Sequence, residues 1–414
     1  MIRKIVLLLL LATPLAAQET EFFIERIEVR NHRRVSPHVV VAESRLREGQ
    51  SVSEEELRDA SARLTRLPFL LSVDFALERG TERGKHVLVI TLQETKPFFF
   101  LLDVQQYFDT QSRYVEADDD SRGATGENLA LGFRWFVGRR GAVHIGFSGI
   151  DRDREFSREY ASLAAGYTQY DIFGTRAFAT VNLTMPVQDS SRAQLSPQVV
   201  VGVPLSANQT LTLKYDEARF EQEILDYDSG YEQRIVTARW THNTTNEPFF
   251  PTRGTLLYAG PVLGWTDGAS TYTIVGPDGT DVRTQSYHSR FYGIETGAAK
   301  YVELTDRDSV WGDVRLETSR AEIRDSFDDN DADRVSNYGS AGIGYSHSLW
   351  SLEERAGGGD SRLEVTARYA NRTRRHYPEF PERQAPALDT RQVGGAWLRR
   401  TSWGTLRLGV GYAW

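Results

Sequence analysis

The sequence of 414 residues contains no cysteine. That excludes a disulfide framework and a thiolate metal site, and with them a lipid anchor on an N-terminal cysteine. No apolar run of about 18 residues exists beyond the N-terminus, so no membrane-crossing helix is expected. A basic excess is missing as well. Lys and Arg number 49 against 57 Asp and Glu, a net charge of −8, which argues against nucleic acid as a partner. Neither Gly-x-Ser-x-Gly nor His-Glu-x-x-His occurs, the eight His are scattered, and no enzyme is expected. What is present is 34 Gly, 18 Tyr, 20 Phe and 8 Trp in a chain of mean hydropathy −0.45. A polar average of this kind is compatible with a membrane β-barrel, whose strands alternate apolar and polar residues.

Arg3 and Lys4 precede an apolar run from Ile5 to Leu11, and Ala16-Ala17 follow. Residues 1–17 therefore read as a signal peptide, too short to span a membrane. Leu15 departs from the usual small residue for cleavage after Ala17. Residues 18–96 read as a small mixed domain of order β-α-α-β-β. Phe23–Val29 is the first strand. Val35–Arg47 is a helix with Ser36 as cap and Pro37 at its first position, ended by Gly49. Ser53-Glu54-Glu55-Glu56 is a capping box opening a second helix, whose buried face is Leu57, Ala60, Leu64 and Leu67. Leu70–Leu77 and Val87–Leu92 complete the strands, the former with Leu71, Val73, Phe75 and Leu77 on one face.

Beyond Pro97 the helical period disappears. Leu129, Leu131, Phe133 and Trp135 alternate with Asn128, Ala130, Gly132 and Arg134, and Leu363, Val365 and Tyr369 alternate with Arg362, Glu364 and Arg368. Alternation alone is shared by a soluble sandwich and a membrane barrel. Export, missing cysteine and eight Trp that all lie beyond residue 97 favour the barrel. Fifteen strand runs can be marked between 98 and 414. Bacterial barrels have even numbers, and about 20 residues per strand with its connection fits sixteen, while fourteen also fits. Connections at 108–126, 266–285, 323–335 and 373–390 are long, and Val137–Gly141, Asp171–Thr175 and Pro204–Gln209 are short, as external loops and periplasmic turns would be. Arg134, Arg362, Glu364 and Arg368 are expected to face the lumen.

Several segments carry a family resemblance. Ile27–Asn31, Gly49-Gln50, Leu67-Pro68-Phe69 with Val73, and Val87–Glu94 before Pro97 together resemble a POTRA domain, the periplasmic module of the BamA/TamA outer-membrane superfamily, although Arg30 replaces its usual Gly. The C-terminal strand, with Arg407, Gly409, Tyr412 and Trp414, is similar to the outer-membrane assembly β-signal. Phe249–Thr255, with Pro251, Arg253 and Gly254, resembles a turn-to-strand motif of that barrel, and Asp171–Thr175 is similar to a second turn. The family's Arg-Gly-aromatic loop motif is missing. The resemblance covers nearly the whole mature chain and favours sixteen strands (97–414). It implies an outer-membrane protein of a Gram-negative bacterium, with one POTRA domain in the periplasm, that inserts or translocates polypeptides. Its partners would be outer-membrane lipid and an unfolded or β-rich client, which pairs with the 70–77 or 23–29 strand. It implies no cofactor. The alternative is a passive pore or anchor whose POTRA domain docks a periplasmic partner. Asp328–Asp333 and Asp118–Asp120 read as acidic external loops, since the first lacks the Gly and distal Glu of an EF-hand; no metal is expected.

Overall fold

A computed structural model describes residues 21–65, 67, 70–96, 98–109, 124–137, 140–152, 160–173, 177–187, 195–206, 208–224, 227–246, 250–276, 279–325, 332–350, 360–377 and 388–413. The signal segment, Trp414, Phe249 and the acidic runs at 118–120 and 328–331 lie outside them.

The N-terminal domain consists of β1 (Glu21–Arg30), α1 (Pro37–Ser44), β2 (Gln50–Ser53), α2 (Glu54–Thr65), β3 (Leu70–Arg79) and β4 (Lys85–Glu94). Its sheet runs β2-β1-β4-β3, with β1 and β4 parallel and the other pairs antiparallel. Ile24, Val40, Leu64, Leu88 and Ile90 are fully buried between sheet and helices. The capping box forms as the sequence indicates: Ser53 N–H donates to the Glu56 carboxylate (2.8 Å) and Glu56 N–H to Ser53 Oγ (3.2 Å). Two details differ from the sequence reading. The first helix stops at Ser44, because Arg45 turns left-handed (φ 60°) and its N–H closes on Val41 O. Gly49 (φ 81°) instead turns the chain into the extra strand β2, donating its N–H to Ile24 O (2.7 Å). The Ser36 side chain makes no cap. The carboxylate of Glu94 instead anchors the loop that leads into the helix, accepting the backbone N–H groups of Arg33, Arg34 and Val35 at 2.9–3.0 Å and an ion pair from Arg34.

The remaining strands are β5 (Phe98–Asp109), β6 (Ala124–Val137), β7 (Gly141–Arg152), β8 (Tyr160–Ile172), β9 (Ala177–Val187), β10 (Ser196–Pro204), β11 (Gln209–Ile224), β12 (Tyr227–Asn243), β13 (Gly254–Gly276), β14 (Gly279–Glu303), β15 (Asp308–Asp325), β16 (Ala332–Ser348), β17 (Asp360–Tyr377), β18 (Leu388–Thr401) and β19 (Gly404–Ala413). They close into one barrel, each neighbour antiparallel except at the seam. The closed barrel has fifteen strands, the number of runs marked in the sequence, where the even-number rule left fourteen or sixteen and the family resemblance favoured sixteen. An odd meander brings its first and last strands together pointing the same way, and β19 indeed pairs parallel with β5 over ten residues, Gly404↔Phe100 to Ala413↔Asp109. Residues per strand do not fix the number here, because β13 and β14 run to 23 and 25 residues, well beyond the 9–11 a bilayer requires. For the same reason the expected long loop at 266–285 is mostly β-ribbon, paired continuously to Gly276↔Gly279. Gly268, Gly276, Pro277 and Gly279, with several Asp and Thr, interrupt the apolar alternation there.

The outward face is apolar on strand after strand. Trp135, Ile145, Leu213, Ile294, Leu316, Ile343, Val365 and Val410 are all exposed, Ile343 to 67%. Soluble monomers rarely expose apolar patches beyond a few hundred Å². A continuous ring of such residues around a closed wall is the lipid-facing surface of a transmembrane barrel. No helix among the described residues is long and apolar enough to cross a membrane; the strands do so.

β4 is followed by β5, and the strand ends at Val137, Ile172, Pro204 and Thr401 lie at this same end. The domain docks there. Arg400 of the barrel donates to Leu71 O (2.6 Å), Lys96 N–H to Ser402 O (2.9 Å), and Phe136 and Tyr170 pack against the N-terminal core.

Two outcomes follow. Burial opposes the charge of Glu94, but the N–H groups of Val35, Arg34 and Arg33 and the Arg34 guanidinium outweigh it and hold its pKa below the ordinary carboxylate value. A lowered pKa contributes stability above the unfolded value that is lost as pH falls through the folded one. Glu94→Gln should therefore cost the domain about 1–2 kcal/mol at neutral pH and flatten its stability between pH 6 and acid, read by hydrogen exchange over residues 33–40 of the full chain. Ile343→Arg should cost about 2–4 kcal/mol if it lies at mid-bilayer, whereas Ile343→Leu should be near neutral, measured by denaturant unfolding in lipid.

Candidate functional site

The strand period of two that turns apolar residues to lipid turns the alternate set into the lumen. On the β7–β11 wall this yields one hydrogen-bonded belt. His144 Nε2 donates to Asn182 Oδ1 (2.5 Å), Asn182 to Gln198 Oε1 (2.7 Å), Gln198 to Asp216 Oδ1 (2.6 Å), and Asp216 pairs with Lys214 (2.9 Å). These residues are in register, with Gly166 of β8 between His144 and Asn182. A Cβ at Gly166 would collide with both side chains, so only glycine lets the histidine reach across a whole strand.

The opposite wall carries ion pairs. Arg239 grips Glu295 with two bonds (2.6 and 2.8 Å) while its guanidinium lies over the Tyr258 ring, 4.9 Å from the centroid. Arg368 bonds Asp313 (2.8 Å), Arg407 lies 3.6 Å from Glu364, and Arg362 bonds Asp360. Of the residues expected in the lumen, Arg362, Glu364 and Arg368 line one cavity of about 660 Å³, together with Arg407, Tyr258, Tyr301 and Trp311. Arg134 stands on β6, beside His144 in register, and is not part of that cavity. A second cavity of about 440 Å³ has a smoother wall that includes Leu101, Ala130, Gly132, Gly146 and Ala164.

Phe250 borders both cavities and is only 8% exposed. It is held by the motif around Pro251. Asn246 Oδ1 accepts the N–H groups of Thr252 and Arg253, its Nδ2 donates to Thr252 Oγ1 (2.9 Å), and Thr244 and Thr255 bond each other twice. Gly254 has φ 107°, and a Cβ there would strike the Thr244 backbone. Pro251, Arg253 and Gly254 thus build a tight turn at the domain end of the barrel that directs an aromatic ring into the lumen.

Of the residues that resemble a β-signal, Arg407, Gly409 and Tyr412 sit on β19, and Trp414 lies outside the described residues. Arg407 and Gly409 border the lumen cavity and Tyr412 is exposed on the lipid face. The strand forms the seam, where Arg407 stands level with Asp103 and Gly409 with Gln105. Below the mouth, β3 is a ten-residue sheet edge, whereas β1 (the 23–29 strand) lies between β2 and β4. That removes the 23–29 strand as a free edge: over Phe23 and Ile24 it already pairs on both sides, and further along Glu48 takes the Ile27 N–H. Sequence reasoning missed Glu295, Arg239, Asp313 and the lumen position of Phe250. Glu295 had a readable signal, a carboxylate between Gly293 and Gly297 opposite Tyr292 and Ile294. Phe250 had none, because a loop has no period.

No family model matches the sequence, and no curated protein does. Among solved structures the chain is similar to BamA from Haemophilus ducreyi lacking POTRA domains 1–3 (TM-score 0.40, 12% identity, covering 95% of this chain and 85% of that one). It is similar to CdiB from Acinetobacter baumannii (TM-score 0.40, 9% identity, 95% and 74%) and to the unliganded ferric citrate transporter FecA (TM-score 0.30, 7% identity, 78% and 59%). The architecture itself, a small α+β domain fused to a closed antiparallel barrel with a lipid-facing exterior and a charged lumen, defines a transmembrane β-barrel protein with an extramembrane module.

Phe250→Ala should enlarge the lumen and raise single-channel conductance in planar bilayers without altering strand content. Gly254→Ala should destabilise the barrel by about 1–3 kcal/mol and raise conductance as well, because the turn that aims Phe250 is strained.

Proposed function

We propose that this chain is an outer-membrane protein of the BamA/TamA superfamily, with its N-terminal POTRA domain in the periplasm, and that it inserts or translocates β-rich polypeptides. The observation that carries the reading is the edge of β3. Among the described residues no strand pairs with its outer side, at the domain that docks on the barrel mouth, and Arg400 and Ser61 donate to its Leu71 and Val73 carbonyls. A row of unpaired N–H and C=O groups is a template for an extended client. The seam supports it. β5–β19 is the barrel's one parallel pair among the described strands, and parallel pairing is slightly weaker per residue. Opening it would expose a second template. The proposal involves no catalytic chemistry and no cofactor.

A second reading has an observation of its own. The seam is paired without interruption over ten residues, as a passive pore or a membrane anchor would require. Two experiments separate them. A photo-crosslinker at Asp74 or Ala76, both exposed on β3, should trap an unfolded outer-membrane polypeptide, and one at Glu55 on α2 should not; equal trapping at both would count against the edge. A disulfide between Gln105→Cys and Gly409→Cys, residues level across the seam, should abolish insertion while leaving folding intact. Full activity in the locked barrel would eliminate seam opening and leave the pore.

A further inference from the structure

The junction between domain and barrel has an unusual charge distribution. Residues 30–36, 94–100 and 399–405 contain Arg30, Arg33, Arg34, Lys96, Arg399 and Arg400, and a single carboxylate, Glu94. The topology gathers these segments. β1 and β4 are parallel, so the loop after Arg30 emerges at the end where β4 enters the barrel. Glu94 ties that loop down through three backbone N–H groups and Arg34, which consumes the one negative charge. Arg30 is satisfied by Glu28 and Glu78, and Arg400 donates to Leu71 O. Arg33 and Lys96 are exposed, and no carboxylate among the described residues pairs with either. Elsewhere on the same rim, by contrast, Glu303 and Asp306 accompany Lys300 and Arg307.

Aromatic rings accompany the cations. Lys96 Nζ lies 5.5 Å from the centre of the Trp403 ring, and Arg399 lies 5.8 Å from that of Trp350. Trp403, Phe98 and Trp135 are exposed to 55%, 43% and 64%, and Phe98 and Trp135 are level on adjacent strands. This group is continuous with the lipid-facing ring and sits at its domain end, the level at which interfacial aromatics and cations meet headgroups.

We propose that Arg33 and Lys96, with Trp403 beside Lys96, form a binding patch for anionic phospholipid headgroups of the leaflet on the domain side. A phosphodiester accepts from both cations, and the indole ring lies at the boundary between headgroup and acyl chains. The patch would fix the tilt of the domain beneath the seam, whichever activity the barrel has.

The test is native mass spectrometry of the detergent-solubilised full chain mixed with equal amounts of phosphatidylglycerol and phosphatidylcholine. The wild type should retain phosphatidylglycerol preferentially. Arg33→Gln/Lys96→Gln should lower that preference by about fivefold for each cation removed, and Arg307→Gln, on the other sector, should leave it intact. The charge-conserving Arg33→Lys/Lys96→Arg should restore it, which separates loss of charge from loss of folding. Equal retention of the two lipids by the wild type would overturn the proposal, as would an unchanged preference in the double Gln variant. Displacement of the lipid by millimolar inorganic phosphate would overturn it too, because it would point to a site for free anions.

Discussion

The barrel depends above all on one constraint: in hydrocarbon, every backbone N–H and C=O of the wall must find a partner within the wall. Closure meets it, and closure with fifteen strands makes the seam parallel. Everything else is arranged around that ring. The outward side chains need only be apolar. The inward ones must satisfy each other, which they do through the His144–Asp216 belt on one wall and the Arg239, Arg368 and Arg407 ion pairs on the other.

Among the described residues the lumen is lined by paired charges and holds two cavities. Its charges are paired side by side on the wall, so they leave space, and the space is divided by one aromatic ring from the turn at Pro251. That turn is fixed by glycine stereochemistry at Gly254 and by Asn246, both remote from the cavity chemistry. The N-terminal domain is tied to the same end by Arg400 and by Phe136 and Tyr170, which complete its core from the barrel side. Arg400 thereby links β18 to β3 through the Leu71 carbonyl.

Much of this was legible in the chain. All fifteen barrel strands were marked by alternation, because lipid on one side and water on the other impose opposite demands on successive residues. The capping box at Ser53 and Glu56 was legible because its two bonds lie within four residues. Arg362, Glu364, Arg368 and Arg407 were placed in the lumen by parity, and they share one cavity. Arg134 had the same parity but faces another sector, since parity specifies a face and not an azimuth.

The limits were equally physical. The far ends of β13 and β14, between 266 and 285, were expected as a loop because Gly, Asp and Pro interrupt the alternation there. The free edge of the N-terminal sheet could not be read locally either: β1 and β3 have similar strand character, and only strand order puts β1 inside the sheet and β3 at its margin. The sequence by itself determined which residues face lipid and which face water, because that is a property of neighbours along the chain. Only the tertiary structure decided how many strands close the ring, that the seam is parallel, and that Phe250 enters the lumen, because each depends on partners a hundred or more residues away.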